Sequence, residues 1–391
     1  MAQSHMRREP VMRKPTRFVG LDVHADSIAV AVAEEGRAGE VRSLGIIPNR
    51  RESVRQLVKR LDGPKGLRLC YEAGPTGFAL YWHLVELGVE CQVVAPTLVP
   101  VKAGDRVKTD RRDATKLARS YRAGELTPVF VPDKTHEALR DLVRCREAAK
   151  KDQLRARHRL TKFLLRAGRH RPATMTAWTG KHMSWVAQQR FDEPAQQITF
   201  NDYRAEIEHV ANRIDRLEQA IEEAAEKMPP AMRAVVEALQ ALRGVAALTA
   251  VTIVAEAGPL SRFQRPKQLM GYSGAVPSEH SSGASVRRGR ITKTGNSHLR
   301  RVVIEAAWAY RHPPRVSADL RRRQHGLDPA VVEVAWKAQH RLHRRYLRLQ
   351  AKGKPRQHII TAVGRELLGF VWAIAVEAER RHASEPKRLA A

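Results

Sequence analysis

Along the first hundred positions, apolar and polar residues alternate with the period of strands and then switch to the three-and-four spacing of helices. The stretches RFVGLDVH, SIAVAVAEE and EVRSLGIIP, starting at Arg17, Ser27 and Glu40, read as three strands separated by short polar breaks, as in an antiparallel meander. RESVRQLVKRLD places Val54, Leu57, Val58 and Leu61 on one helical face and stops at Gly63-Pro64. LRLCYEA is a further strand, GFALYWHLVELG a helix ending at Gly88, and VECQVVA a strand ending before Pro96. From about Lys134 to Arg169 the chain reads as a very basic helix, followed by a loop rich in Gly, Pro and Trp. Ile207, Val210, Ile214, Leu217, Ile221 and Ala224 then alternate steps of three and four. Those steps suit a coiled-coil seam and, equally, an amphipathic helix packed on its neighbour; either makes a helical stalk.

The order strand–strand–strand–helix–strand–helix–strand is that of a ribonuclease H-like domain: three antiparallel strands, then parallel ones joined by crossover helices. The expected fold class is α/β plus α. We divide the chain into a disordered basic arm at 1–16, this catalytic domain at 17–130 and the helical or coiled-coil stalk at 131–230. A mainly helical C-terminal domain follows at 231–312, then a basic helical tail at 313–391. In the C-terminal domain, ALRGVAALTAVTIVAEAG reads as helix, tight turn at Gly244, helix, a shape that commonly grips a DNA backbone, though the second Gly usual there is missing. PSEHSSGASVRRGRITKTGNSHLRR reads as a Gly/Ser loop full of Arg and Lys, running into a helix capped by Ser297.

Charge narrows the partner. The 391 residues hold 70 Lys+Arg against 41 Asp+Glu, a formal charge of +29. Self-repulsion of that size is relieved by a polyanion, so nucleic acid is the expected partner and a membrane is not. Apolar runs such as VAALTAVTIVAEA are too short to span a bilayer. The N-terminus is basic and has no apolar signal core. Cys70, Cys91 and Cys145 show no metal-finger spacing, and two of them fall in expected strands as core residues. A cytoplasmic, nucleoid-associated protein is expected. From Arg311 to His358, 13 Lys/Arg stand against three acids.

Two carboxylates interrupt one of the most basic stretches, VKTDRRDATKLA. Alone, Asp110 and Asp113 read as a helix start, with Thr109 or Asp110 capping and Asp113 near the positive helix end. Asp22, inside apolar FVGLDV, and Glu72, after apolar LRLCY, change that reading, because an acid there is costly unless paired or metal-bound. In a ribonuclease H-like sheet the first and fourth strands are neighbours, so Asp22 and Glu72 converge. Residues three apart share a helix face, so Asp110 and Asp113 can both point in. Four carboxylates meeting there repel one another unless divalent cations bind between them, and hard oxygen donors suit Mg²⁺, with Mn²⁺ as the alternative. Lys108, Arg111 and Arg112 would hold flanking phosphates, as would Arg287, Arg288 and Lys293 in the Gly/Ser loop.

GLDVH, YEAGPTG and KTDRRDA resemble the three N-terminal motifs of the insertion-sequence one-ten family of transposases, which includes pilin-gene invertases. RFQRPKQLMGYSGAVPSEHSSGASVRRGRITKTGNSHLRR is similar to that family's C-terminal transposase domain, so the likeness runs over roughly Phe18 to Ala167 and Leu242 to His312. Each motif is weak by itself; four in order at suitable separations are strong. The resemblance implies a DNA recombinase whose ribonuclease H-like domain is Holliday-resolvase-like, with an acidic tetrad, here Asp22, Glu72, Asp110 and Asp113, plus a serine preceding a Gly, here Ser282 before Gly283. It further implies a homo-oligomer, dimer or tetramer, in which the serine of one protomer completes the acidic site of another. It also implies a structured guide RNA, transcribed from the element's own end, that pairs with donor and target DNA. Without the resemblance, the choice among Ser278, Ser281, Ser282 and Ser285 stays open, and these serines would serve only as hydrogen-bond donors to phosphate.

Other readings use the same residues. A metal-dependent junction-resolving nuclease would need the four acids and water, with no covalent serine intermediate. A sugar-kinase-like ATPase also begins with a strand like GLDVH, but its second Gly-rich phosphate loop has no counterpart here. A nucleoid-binding protein without chemistry would account for the charge and leave the strand acids unexplained. His24 suits proton transfer or a structural, solvent-facing place. Trp178, Trp185 and Tyr203 suit stacking on unpaired RNA bases or packing in the stalk.

Overall fold

The chain folds as two compact units, Met1–Val131 and Pro132–Ala391, in a computed structural model that describes residues 15–100, 104, 109–282 and 285–384. Residues 1–14 of the expected basic arm, Lys108 and Gly283 lie outside the described residues. In the first unit β1 (Arg17–Val23), β2 (Ser27–Glu34) and β3 (Val41–Pro48) form the antiparallel meander. Helix α1 (Arg51–Arg60) carries the chain back so that β4 (Leu67–Glu72) runs parallel to β1. Helix α2 (Ala79–Glu86) repeats the move for β5 (Glu90–Val94), giving the sheet order β3-β2-β1-β4-β5. The element order expected from the alternation of side chains is the order found.

The two faces of this sheet differ in side-chain size because successive residues of a strand point opposite ways. One face carries Val19, Leu21, Val30, Val32, Leu69 and Tyr71 and packs with Val54, Leu57 and Val58 of α1 and Leu84 of α2. The other carries Gly20, Ala29, Ala31, Ala33 and Cys70, and across it lies α3 (Asp110–Arg122) through Ala114, Leu117 and Ala118. Small residues let this helix come very close. A Cβ placed on Gly20 would stand 2.3 Å from the Ala114 carbonyl oxygen and 2.5 Å from the Ala118 amide nitrogen.

Among the described residues the second unit is helical apart from one hairpin and its connections. Helices α4 (Lys134–Arg166) and α6 (Pro194–Glu226), of 33 residues each, pack along one another, with α5 (Gly180–Ala187) in the connection. Ile207 joins Leu160 and Phe163, Val210 and Ile214 join Ala149, and Ile221 joins Leu139 and Val143. Trp178, Trp185 and Tyr203 pack around Phe163, Val186 and Phe200, so packing is the use the fold makes of them. Beyond lie α7 (Pro230–Leu239) and α8 (Ala247–Ala257), turned at Gly244 with φ +83°, then α9 (Pro266–Tyr272). The hairpin of β6 (Pro277–Glu279) and β7 (Arg288–Ile291) leads into α10 (Ser297–Ala307), α11 (Ala318–Gln324), α12 (Pro329–Ala351) and α13 (Arg356–Ser384). One core holds these helices together and takes in Leu139 of α4, Leu239 of α7, Val251 of α8, Val303 of α10, Leu342 of α12 and Leu367 of α13.

Three expectations are corrected. The Gly/Ser loop is bracketed by a short two-stranded hairpin, whose strands are at most half-buried and so carry no apolar alternation to announce them. Asn296, not Ser297, caps α10, its side chain accepting from the Leu299 amide at 2.9 Å while Ser297 already has helical geometry. Among the described residues one apolar stretch is long enough to cross a bilayer: α13 passes by length and composition, and half of its apolar window is buried inside the unit. Arg365 and Glu366 interrupt that stretch, which hides it as a continuous run. Its buried residues pack against α7, α9, α10 and α12.

Candidate active site

Leu21 and Tyr71 pair in the parallel register of β1 and β4, so the next residues, Asp22 and Glu72, leave adjacent strand ends side by side. Each lies two residues beyond a position covered by α3, Gly20 or Cys70, and therefore on the same face. The N-terminus of α3 reaches the same place. Nε2 of His24 lies 3.5 Å from Asp22 Oδ2 and 3.6 Å from Asp110 Oδ1. Asp22, His24 and Asp110 each offer a ligand atom, and these atoms all lie within 4.8 Å of one another. Thr109 caps the helix, accepting from the Arg112 amide at 3.3 Å, so the Asp110 carboxylate belongs to the cluster and not to the cap.

Burial raises the Asp22 pKa; His24 opposes the rise, and the charges of Asp110 and Asp113 add to it. The structure thus brings Asp22, Asp110 and Asp113 into one electrostatic neighbourhood, with Glu72 beside Asp22 by register. Crowded carboxylate oxygens with one imidazole nitrogen fit a divalent cation, whose charge would relieve the repulsion felt by Asp22. His24 is the residue that sequence reasoning undervalued. Its only signal was a position two residues after a strand acid, which does not say which way a loop side chain turns.

The outward face of α3 is basic. Arg111, Arg112, Lys116, Arg119 and Arg122 line a cleft of about 1280 Å³ together with Arg37, and Arg111 and Arg112 are exposed. Carboxylates and guanidinium groups thus occupy opposite sides of one short helix.

In the second unit, Ser282 sits at the tip of the β6–β7 hairpin. Its amide donates to the Ser285 carbonyl, and its carbonyl accepts the return bond from the Ser285 amide, both 3.1 Å. The four serines differ in surroundings. Ser281 Oγ donates to Glu279 Oε1 at 2.9 Å, and Ser278 lies against Gly289, where an added Cβ would come 2.4 Å from its Oγ. Ser282 and Ser285 are exposed, and among the described residues neither hydroxyl has a hydrogen-bond partner. Arg287 and Arg288 are exposed on the same hairpin, Arg288 lying 3.4 Å from Glu279, and Lys293 follows with φ +59°.

Two buried acids anchor the base of this hairpin. Glu256 on α8 is 0% exposed and takes both Arg144 contacts, at 2.7 and 2.8 Å, plus the Asn296 side chain at 2.7 Å. Burial pushes its pKa up, but the hydrogen bonds from Arg144 and Asn296 and the charges of Arg144 and Arg140 hold it below the usual carboxylate range. Because Asn296 also caps α10, this ion pair ties the hairpin's exit to α4 and α8. Glu147 on α4 receives His298, Lys151 and Arg301 at 2.7, 2.9 and 3.1 Å.

Residues 19–168 match the model of the DEDD transposases of the IS110 type, and residues 236–321 match the model described as transposase IS116/IS110/IS902 family. A Sinorhizobium fredii protein with the transposase designation y4qE is 46% identical over 366 residues, covering 93% of this chain and 89% of its own. The transposase for insertion sequence element IS1533 of Leptospira borgpetersenii is 33% identical over 340 residues, covering 86% of this chain and 97% of its own. The pilin gene-inverting protein of Moraxella bovis is 24% identical over 273 residues, covering 69% of this chain and 67% of its own. With the first two relatives this similar over 89% and 97% of their length, the chain belongs to the IS116/IS110/IS902 family of insertion-sequence transposases.

Proposed function

We propose that this transposase cuts and rejoins DNA strands at the Asp22 cluster, with Ser282 as the nucleophile. The observation that carries the reading is the meeting of Asp22, His24 and Asp110 at the end of β1, beside Glu72 and under the charge of Asp113. The sheet order β3-β2-β1-β4-β5 supports reading the first unit as ribonuclease H-like, and the paired helices α4 and α6 support a stalk. Asp22, Glu72, Asp110 and Asp113 would hold Mg²⁺ or Mn²⁺, which supplies Lewis-acid activation of a phosphodiester when bound. Arg111, Arg112 and Lys108 would hold the neighbouring phosphates, leaving the scissile one at the carboxylates.

Ser282 Oγ then forms a bond to phosphorus, its proton passing to water, and the bond to the leaving sugar hydroxyl breaks. The phosphoserine ester keeps the bond energy, so a hydroxyl of a new strand can displace the serine without ATP. Arg287, Arg288 and Lys293 would offset phosphate charge around the hairpin. The resemblance to the family adds a homo-oligomer, dimer or tetramer, sharing sites between protomers, and a structured guide RNA pairing with donor and target DNA.

The test is a strand-exchange reaction stopped by denaturation. Wild type should leave DNA covalently attached to Ser282, mapped by mass spectrometry, and Ser282→Ala should lose both adduct and exchange. Asp22→Ala, Glu72→Ala, Asp110→Ala and Asp113→Ala should each reduce cleavage by at least a hundredfold while leaving DNA binding within about threefold. Metal-dependent cutting with no adduct would replace this reading with the junction-resolving nuclease. Full cleavage in any two of the four acid variants would remove the shared site.

A further inference from the structure

We infer that the exposed face of α12 binds an unpaired DNA strand, with Trp336 stacking on a base and Arg344 and Arg348 contacting phosphates. The buried side of α12 is set by Val331, Ala335, Ala338, Leu342 and Tyr346. Trp336, His340, Arg344 and Leu347 fall on the other side, and all four are exposed. Exposing a Trp at 41% and a Leu at 49% on one helix face has a cost in water that ordinary surface positions avoid.

Trp336, His340 and Arg344 form a ridge between two concavities. One, of about 520 Å³, extends to Arg341, Arg345 and Glu366; the other, of about 500 Å³, extends to Pro314, His343 and Leu347. The Trp336 and His340 rings meet edge to face at 4.5 Å, which steadies the indole while leaving it accessible. Glu366 pairs with Arg341 and Arg345, and Glu333 pairs with Lys337. Arg344 and Arg348 have no ion pair among the described residues.

An aromatic face flanked by unpaired cations one helical turn apart is the recognition chemistry of a single strand, where bases stack and phosphates meet arginine. A duplex hides its base faces and leaves the indole unused. A second copy of this chain is disfavoured, since a self-complementary contact would set this Arg-rich face against its like. DNA is the strand expected, because the family acts on DNA and moving a strand between duplexes requires unpaired bases. The inference needs neither the acid cluster nor Ser282 to act as proposed.

The experiment uses the full chain and a fluorescent twelve-nucleotide oligo(dT), a duplex of equal length and the matching oligo(U), each measured by anisotropy against salt. Trp336→Ala should weaken oligo(dT) binding about tenfold and duplex binding by less than twofold, while Trp336→Phe keeps most of the affinity. Arg344→Gln with Arg348→Gln should flatten the salt slope on oligo(dT) by about 1.4, that is about 0.7 per lost phosphate contact. A single 5-iodouracil in the strand should photocrosslink to Trp336. Equal losses on strand and duplex, or none on either, would overturn the inference. A loss confined to oligo(U) would overturn it in favour of RNA, and a change only in sedimentation would overturn it in favour of a protein interface.

Discussion

Asp22 and Glu256 are both acids set in apolar sequence, and the fold answers them in opposite ways. Asp22 stays half-buried among other carboxylates, and burial together with the charges of Asp110 and Asp113 raises its pKa. Glu256 is fully buried and neutralised by Arg144, so it serves architecture. Glu147 is a third case and gives a pH test. Burial pushes its pKa up, but hydrogen bonds from His298 and Lys151 and the charge of Arg301 bring it to about 2, against an ordinary 4.5. A pKa lowered on folding contributes stability above the ordinary value and loses it as pH falls from 4.5 towards 2. Glu147→Gln should therefore destabilise the protein by about 1–3 kcal/mol at pH 7. In thermal melts the gap to wild type should narrow steadily below pH 4.5. A gap unchanged from neutral pH to about pH 3 would show that Glu147 does not hold this network.

At the scale of elements, α3 is the organising piece of the first unit. Its apolar stripe fixes it to the sheet, its first turn delivers Asp110 and Asp113, and its outer face supplies the basic cleft. That arrangement depends on bare backbone at Gly20. Gly20→Ala should push α3 away from β1, cost about 1–3 kcal/mol, and separate Asp110 from Asp22. The expected result is at least tenfold weaker Mn²⁺ binding by electron paramagnetic resonance titration in a protein that still melts cooperatively. Unchanged Mn²⁺ affinity would mean the cluster tolerates movement of the helix. The elements of this unit were readable because each strand or helix buries one side, which forces a period on the residues. The β6–β7 hairpin buries neither side fully, so its composition of Ser, Gly and Arg reads as loop.

Across the whole molecule, the basic C-terminal helices are also core. Val331, Leu342, Ile359, Val363, Leu367 and Val371 close the hydrophobic interior of the second unit, although the same stretch carries much of the positive charge. Truncation after His312 should therefore abolish cooperative unfolding of the second unit, as seen by circular dichroism melting, and should not give a soluble protein that merely binds DNA less well. A truncated chain that melts like wild type would make α12 and α13 dispensable to the core. Charge on the outside of a helix and packing on its inside are independent uses of one segment, and only the periodicity of the buried positions separates them.

The amino-acid order by itself determined the alternation of strands and helices in the first unit, the neighbouring places of Asp22 and Glu72, and the family through its four motifs. These follow from local rules: side-chain period, turn residues, and the right-handed crossover that sets β4 beside β1. Tertiary structure alone decided what depends on residues far apart in the chain. It turned His24 between two carboxylates, gave Glu256 its Arg144 partner 112 positions away, and left the Ser282 hydroxyl without a hydrogen-bond partner among the described residues while that of Ser281 found one. An acid in an apolar stretch announces that some partner is needed; whether that partner is a cation from solution or an arginine of the same chain is settled only when the helices pack.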